Sequence, residues 1–525
     1  MHKEGIAMQD ENGQGAPSQR KQDLKYSIYD GSLFSVMSGF GDNFLSAAAV
    51  IGGASSFDIG LLSAVPYAAG SLFQFFSSPL IRALKSRKTL VVGGVALQAL
   101  TWLIVALIMF YPGKLPFVAL LAAYSVGFGI NLMINPAWSS WIADLVPDNE
   151  RAKFFAERNR YVYLLLFTAT FLGGIILSDL NAGIGEKAAF AVIFFLACMA
   201  RAIGAFFLLK TSEPEFKPML MHEVALKHLF LLPSYKNELS VILFLSVMNF
   251  SAQIAAPFFT PYMITNLNFD LGMVGAITSI SIIMKMVSQR YWGSMIDAYG
   301  NRTVLICCGI GAALVPAIWL MSTDFVHIML FNAFSGFVWG GFELTSFNFL
   351  LATVPRELRG SYMSKYNLFN GILYALGSVA GGVALAFLGT GIYWGFAAIP
   401  VIFLVSTGFR LATVLVFAPV LPKKDLPGKQ EDRDLIIKIL AVNPAMGAVA
   451  TVFNGWNITH KAIGTSAMKS KMLINGIDDR ARQGTRLVSE IRRGALKEME
   501  KDAEAGKRLV RELRKMGQEE KEGKK

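Results

Sequence analysis

Apolar runs of about 20 residues recur along this chain from Gly31 to Val420. At about 1.5 Å per helical residue, each run is long enough to cross roughly 30 Å of hydrocarbon. Hydrophobic residues make up 54% of the 525 residues and charged residues 16%, which excludes an ordinary water-soluble protein. The sequence therefore predicts an all-α polytopic membrane protein.

Twelve transmembrane helices are predicted from these runs. Polar turns, glycines and prolines separate them. The predicted spans are residues 31–52, 59–81, 89–111, 116–144, 161–178, 188–209, 239–262, 272–291, 303–322, 326–353, 366–388 and 393–419.

Basic residues are distributed unevenly between the predicted loops. The first 25 residues are polar and lack the apolar segment of a secretion signal, so we expect the chain to begin in the cytosol. The predicted inner loops then hold 17 Lys and Arg, whereas the outer loops hold only Lys114 and Lys187. This asymmetry is typical of an integral, multi-pass protein of the cell membrane with both termini cytosolic.

The longest polar interruption between spans divides them into two sets of six. We therefore predict two pseudo-symmetric six-helix bundles joined by a cytosolic linker, with a basic, amphipathic, helical cytosolic tail after them. The predicted segments are a cytosolic polar N-terminal segment (1–27), an N-terminal bundle (28–210), the linker (211–238), a C-terminal bundle (239–420) and the tail (421–525).

Sequence similarity between the two halves supports a duplication. Pro147 and Arg151 follow the fourth span, and Pro355 and Arg359 follow the tenth at the same spacing. Arg201 and Arg410, near the ends of the sixth and twelfth spans, repeat almost the same offset. We expect these two arginines to extend to the membrane interface rather than to bind anions.

A glycine-rich motif follows the eighth span. Gly293, Asp297, Gly300 and Arg302 form a G-x-x-x-D-x-x-G-x-R pattern, in which glycines permit a tight turn and close helix approach. This pattern resembles the cytoplasmic signature loop of the major facilitator superfamily, and the two V-P-x-x-x-R loops resemble other inner loops of that superfamily. The resemblance implies alternating access, with Asp297 latching one conformation. The corresponding first-half loop departs from the pattern, since Ala83 and Ser86 replace the acid and the second glycine.

Polar side chains inside the predicted spans are the candidate solute and proton site, because such groups are costly in hydrocarbon. Asp42 and Glu343 lie near the middle of the first and tenth spans. The internal repeat pairs Asn135 with Glu343 and Asn43 with Gln253. The candidate residues are Asp42, Asn43, Asn131, Asn135, Trp138, Gln253, Trp339 and Glu343.

Two interpretations of the membrane acids stay open. Asp42 or Glu343 carries a coupling proton, or both acids are structural and pair with amide groups or with Lys285 in the eighth span. Exchange of each acid for its amide would separate the two interpretations.

The function expected from these features is secondary active transport of a small solute, with proton coupling. A uniporter or lipid-translocating carrier, and a non-transporting receptor or scaffold acting through the tail, are the alternatives. We expect no enzyme activity, cofactor, metal or nucleic acid, since no G-x-x-x-x-G-K loop and no metal or nucleophile pattern occurs. Expected partners are membrane lipids and the solute, together with tail contacts to protein or lipid.

Overall fold

The computed structural model describes residues 17–111, 116–147, 150–214, 236–354, 359–389, 391–393 and 396–422. The predicted tail lies outside the described residues from residue 423 onward, as does most of the predicted linker. The predictions for those two segments therefore stay predictions.

Eight helices precede the linker among the described residues. Helix α1 does not continue directly into α2, because the chain turns at Gly41. The helices are α1 (Pro17–Phe40), α2 (Asp42–Ile51), α3 (Ser56–Gln74), α4 (Ser77–Leu84), α5 (Arg87–Ile108), α6 (Phe117–Leu145), α7 (Arg151–Ile184) and α8 (Glu186–Lys210).

In the described part of the chain, six long helices and one short hairpin follow the linker. Helix α9 continues through an irregular stretch of 3-10, α and π turns that runs to Asn266. The helices are α9 (Lys236–Gln253), α10 (Leu271–Tyr299), α11 (Asn301–Ile318), α12 (Phe325–Thr353), α13 (Arg359–Leu388) and α14 (Ala398–Phe417). Strands β1 (Ile392–Tyr393) and β2 (Phe396–Ala397) pair antiparallel between α13 and α14.

Eleven helices of the described chain are long and apolar enough to cross a membrane, counting α1 with α2 as one. A twelfth span results if α3 and α4, which are bent by 45° at Phe75 and Phe76, are counted together. The prediction of an all-α polytopic membrane protein is therefore confirmed. The first span differs from its predicted bounds, because helix α1 begins at Pro17 rather than near residue 31.

The outer surface of helix α5 is apolar and is suited to contact with lipid. Leu97, Leu100, Ile104 and Leu107 recur at helical spacing and are 48–60% exposed. Trp102, on the same helix, is only 3% exposed. A water-soluble protein rarely exposes such a continuous apolar stripe, whereas lipid tails cover it at no cost.

The turns of the chain lie at two ends of the helical region. We call the end with residues 84–87, 145–147, 150–151, 210–214, 299–301 and 353–354 the linker end. The opposite end, with residues 51–56, 184–186, 266–271 and the β-hairpin, is the hairpin end.

The prediction that Arg201 and Arg410 extend to the interface is wrong. Their side chains are 4% and 2% exposed, respectively. Both bind groups of neighbouring helices in the interior, which lowers the cost of burying a guanidinium.

Candidate functional site

Two pairs of long helices form most of the contacts between the two halves of the described chain, and the closest approaches of their backbones lie towards the hairpin end. Helix α3 meets α13 at Gly60, where an added Cβ would lie 2.8 Å from the carbonyl oxygen of Ser378. Helix α7 meets α10 at Gly174, where an added Cβ would lie 2.9 Å from the Cα of Gly275. Glycine at these positions lets the two backbones pack directly against each other.

Polar groups extend the α3 contact deeper into the protein. The Ser378 hydroxyl donates to Gln253 Oε1 at 3.2 Å and lies 3.1 Å from the Ser63 hydroxyl. One turn further, the rings of Tyr67 and Tyr374 stack with centroids 3.7 Å apart. The predicted candidate Gln253 therefore lies at the contact between the halves.

Polar side chains are exposed beyond this contact, in the linker half. Glu343 is 49% exposed although it lies ten residues before the end of helix α12, about 15 Å along its axis. Asn135 of helix α6, its repeat counterpart, is also exposed. The crevice between the halves is thus closed near the hairpin end and open towards the linker end.

Asp42 begins helix α2 and faces a cavity of about 70 Å³. Its Oδ2 accepts a hydrogen bond from the Ser38 hydroxyl at 2.6 Å, and the Tyr124 hydroxyl lies within hydrogen-bonding reach. Asn131 lines the same cavity, so the structure brings these two predicted residues together. No basic side chain of the described chain forms a salt bridge with Asp42.

Glu343 is paired. Its Oε1 lies 2.7 Å from Lys285 Nζ of helix α10. This geometry matches the structural interpretation of the acid that the sequence left open. Both Asp42 and Glu343 act electrostatically on Tyr67, so the two predicted acids flank the stacked tyrosines from opposite halves.

The remaining predicted residues have separate surroundings. Asn43 donates to the Thr170 hydroxyl at 2.7 Å and so joins α2 to α7 within the first half. The Trp138 ring lies under the Arg158 guanidinium, with 4.4 Å between the Cζ and the ring centroid. Trp339 is half-buried and packs on Phe342 of its own helix. These contacts give Asn43 and Trp138 partners inside the first half.

Sequence reasoning missed a buried charge network in the first half. Arg201 Nη1 lies 3.4 Å from Asp30 Oδ1, and its Nε donates to Gln98 Oε1 at 2.6 Å. The charge of Arg158 also acts on Asp30. Asp30 was overlooked because the first span was predicted to begin one residue after it, although continuing the helical pattern upstream would have included it.

Arg410, the repeat counterpart of Arg201, has no ion pair among the described residues. Its Nη1 donates to the Ala312 carbonyl at 2.8 Å and its Nη2 to the Ala252 carbonyl at 3.1 Å. The Ala312 carbonyl lacks its usual helical donor because Pro316, four residues later, has no N–H. The Ala252 carbonyl lies in the last turn of α9 and also accepts from the Ala255 N–H at 3.2 Å.

The glycine-rich motif forms the turn between α10 and α11. Gly300 has φ +84° and ψ +160°, a conformation that is open essentially only to glycine. Arg302 is 8% exposed and donates to the Ala418 carbonyl at 2.8 Å, beyond the end of α14. Asp297 is exposed. At Gly293 no atom lies within 4 Å of an added Cβ, so close helix approach does not explain this glycine in the observed conformation.

The first-half loops bind the beginning of the linker. Arg87, which is 1% exposed, lies 2.6 Å from Asp144 Oδ2. Glu213 accepts from the backbone N–H groups of Arg87 and Lys88, so a linker carboxylate caps helix α5. The sequence signal was the basic run that begins α5, although its acidic partners are distant in sequence.

The two V-P-x-x-x-R loops are described unequally. The Pro147 carbonyl accepts from the Glu150 N–H at 3.0 Å, and Arg151 donates to the Ala143 carbonyl at 3.0 Å. Arg359 is the first residue of α13. Pro355 and the Arg359 side chain lie outside the described residues.

A second cavity, of about 290 Å³, lies between α7 of the first half and helices of the second half. Tyr163 and Leu166 contribute from α7. Lys285 is the sole charged side chain among the described residues that line it. No sequence pattern indicates this cavity, because its walls come from five separate segments.

Comparisons with known proteins show which family this chain resembles. Residues 239–470 match the sequence model of the Major Facilitator Superfamily. Multidrug resistance protein MdtG of Yersinia enterocolitica is 28% identical over 169 residues, which are 30% of this chain and 37% of that protein. The multi-drug resistance efflux pump PmrA of Streptococcus pneumoniae is 27% identical over 190 residues, 33% of this chain and 44% of that one. The chain thus spans less than half of these relatives.

Solved structures share the fold over most of the chain. A variant of the nucleoside transporter NupG has a TM-score of 0.64 at 13% identity, covering 76% of this chain and all of that one. A D-xylose-proton symporter has a TM-score of 0.59 at 11% identity, covering 77% of this chain and 97% of that one. The chain thus resembles the Major Facilitator Superfamily in sequence over residues 239–470 and shares the fold of these solved transporters over about three quarters of its length.

Proposed function

We propose that this chain is a secondary active transporter that moves a small solute across the membrane by alternating access. The observation that carries the proposal is the polar crevice between the halves, which is closed by the α3/α13 and α7/α10 contacts and open at the other end. A carrier needs a second conformation in which this closure is reversed. The same halves, rocking about the crevice, would expose it to each side in turn.

We propose that the linker end faces the cytosol. The excess of basic residues in the predicted loops at this end supports that orientation. On this assignment the observed conformation is open to the inside. The loops with Pro147, Arg151, Asp297 and Gly300 would then meet when the inner end closes. Free space around Gly293 in the open state is compatible with its use in that closure.

We propose that Asp42 carries a coupling proton. Ser38 and Tyr124 place hydroxyl groups beside this carboxyl, and its cavity lies near the crevice. A half-buried carboxyl without a salt-bridge partner takes up a proton more readily than a paired one, because the neutral form costs less in the interior. The charge of Arg201 acts on Asp42 from a distance and favours the ionised form. Glu343 is the weaker candidate, since Lys285 already compensates its charge.

The names of the relatives suggest classes of solute for a first screen. MdtG and PmrA are described as multidrug proteins, and the structural neighbours as nucleoside and sugar transporters. A uniporter remains the second candidate function, and the pairing of Glu343 with Lys285 favours it, because a compensated acid needs no proton.

Flux in proteoliposomes tests the proposal. Purified protein is reconstituted, and uptake of labelled nucleosides, sugars and cationic drugs is measured with and without an imposed pH gradient. The proposal expects saturable uptake of at least one solute that the gradient accelerates, and loss of this acceleration in Asp42→Asn. Glu186→Gln, an exposed acid at the hairpin end, is the matched control and should behave as wild type.

Three outcomes separate the alternatives. Uptake that ignores the pH gradient in wild type supports the uniporter. Acceleration that survives in Asp42→Asn refutes the role of this residue in coupling. Saturable binding of a solute without any flux contradicts transport itself and favours a receptor.

A further inference from the structure

The cavity of about 290 Å³ combines one cation with hydroxyl and amide groups. Its polar lining consists of Lys285, Asn332, Tyr163, Thr260, Thr278, Ser281 and Ser335. No carboxylate belongs to this lining among the described residues. Its volume is close to the lower end of small-molecule pockets, which begin at roughly 300 Å³. Thr278 and Asn332 already donate to the carbonyls of Val274 and Ile277, so Lys285 and the other hydroxyl groups supply most of the donors. A lining with one positive charge, hydroxyl donors and no carboxylate favours an anionic group over a cationic one.

Tyr163 adds a donor from the opposite half. Its hydroxyl accepts a hydrogen bond from Gln289 Nε2 at 3.3 Å. Because the oxygen already accepts, its own proton can be donated to a ligand. Gln289 lies one helical turn from Lys285 on α10. Helix α10 therefore carries the ammonium of Lys285 and also binds the hydroxyl of Tyr163 through Gln289.

The rest of the lining is apolar. Leu166, Phe259, Met263, Ile282 and Val315 form the other walls of the cavity. Such walls gain free energy by covering a hydrocarbon or aromatic group, and they offer nothing to a fully hydrated solute. The lining therefore suits a ligand with an apolar body and one anionic group.

Glu343 competes for the same ammonium. Its Oε1 accepts a hydrogen bond from Lys285 Nζ at 2.7 Å, although Glu343 does not line the cavity. The ammonium has three N–H donors, so it can bind a ligand carboxylate while it keeps or releases Glu343. A bound ligand anion would weaken the attraction between Lys285 and Glu343. Removal of the Glu343 carboxylate would make the Lys285 ammonium more available to the ligand.

We propose that this cavity binds an amphipathic organic monoanion, with its carboxylate on Lys285 and Tyr163 and its apolar body against Phe259 and Met263. The inference rests on the proposed transport function, because it assigns the solute of the same crevice. It adds a substrate class and assigns Lys285 as a ligand-binding residue.

Calorimetric titration of the full-length protein in lipid nanodiscs tests the site. Phenylacetate is the probe, with neutral phenylacetamide and cationic phenethylammonium as matched ligands. Phenylacetate should bind saturably, and each of the other two at least about tenfold more weakly, because they lack the charge-assisted hydrogen bonds.

Variants test the roles of Lys285 and Glu343 in phenylacetate binding. Lys285→Gln should weaken phenylacetate binding by about tenfold or more, whereas Lys285→Arg keeps the charge and should retain most of it. Glu343→Gln should strengthen binding several-fold, since it removes the competing carboxylate. Lys210→Gln is the control, because Lys210 lies on the Phe206 ring outside this cavity. Unchanged melting temperatures will show that each variant is folded.

Several results would overturn the site. They are the absence of saturable phenylacetate binding to the folded wild type, equal binding of phenethylammonium, indifference to Lys285→Gln, and weaker binding in Glu343→Gln. Flux measurements keep this failure apart from that of the transport proposal. Uptake of another solute without phenylacetate binding overturns the site alone, whereas phenylacetate binding without any flux supports the site and overturns transport.

Discussion

Removal of Arg201 should strongly destabilise the first half. In Arg201→Met the Asp30 carboxylate loses a guanidinium 3.4 Å away, and Gln98 loses its 2.6 Å hydrogen bond. Both members of the ion pair are at most 5% exposed, so water cannot replace the lost partner. Breaking a buried ion pair from one side typically costs about 3–5 kcal/mol. The charge of Arg158 also acts on Asp30 and partly compensates it in the variant. We therefore expect Arg201→Met to lower the free energy of unfolding by about 3 kcal/mol, the lower end of this range.

A second substitution shows whether the cost comes from the stranded charge. Asp30→Asn in the Arg201→Met background removes the uncompensated carboxylate and should restore at least about 1 kcal/mol, a coupling typical of residues in contact. Equilibrium unfolding in mixed detergent micelles gives the free energy of unfolding for the wild type, both single variants and the double variant.

The reasoning fails on either of two results. The first is a free energy of unfolding for Arg201→Met that lies within about 0.5 kcal/mol of the wild-type value, which is the range of an ordinary surface substitution. Alternatively, the two substitutions could be additive, which would mean that Arg201 and Asp30 do not stabilise each other.

Two further predictions concern glycines. Gly174→Leu should hinder closure at the hairpin end, because its Cβ would lie 2.9 Å from the Gly275 backbone. Thiol labelling of Ser378→Cys, at a position that is 0% exposed in the observed conformation, should then become faster. Gly183→Leu, with free space around it, is the control, and equal labelling rates would contradict the assignment of this contact. Gly300→Ala should lower the free energy of unfolding by about 1–3 kcal/mol, because alanine is strained in the backbone conformation of Gly300. Gly293→Ala should leave the free energy of unfolding unchanged or raise it by about 0.5–1 kcal/mol. An equal effect at both sites would refute this explanation.

Much of the fold was predictable because lipid imposes a simple rule on sequence. Spans must be long, apolar and helical, so hydropathy alone indicated the helices and their approximate number. Helix α1 was predicted too short, because its first turns are polar and the hydrophobic signal begins only near Gly31. The bend between α3 and α4 was also missed, since the apolar run continues through it.

The site was less predictable, because pairing partners are distant in the chain. The polarity of Asp42 and Glu343 inside apolar runs identified both acids, whereas the contact of Glu343 with Lys285 joins residues 58 positions apart. The same holds for Arg201 with Asp30, 171 positions apart. Without those partners, an arginine near a span end is expected to reach the interface, and that prediction was wrong.

Alternating access is the central claim, and distances between spin labels in lipid nanodiscs test it most directly. Ser139 and Phe347 lie one turn beyond Asn135 and Glu343 towards the linker end, and both are exposed. A cysteine pair at these sites reports the linker end, and a pair at Ser56 and Thr265 reports the hairpin end.

The account predicts two populations for each labelled pair, with the linker-end distance shortening as the hairpin-end distance lengthens. Acidic and alkaline buffers, and added solute, should change the balance of these populations in opposite directions at the two ends. A single fixed distance at both ends under every condition, or widening at both ends together, would contradict it.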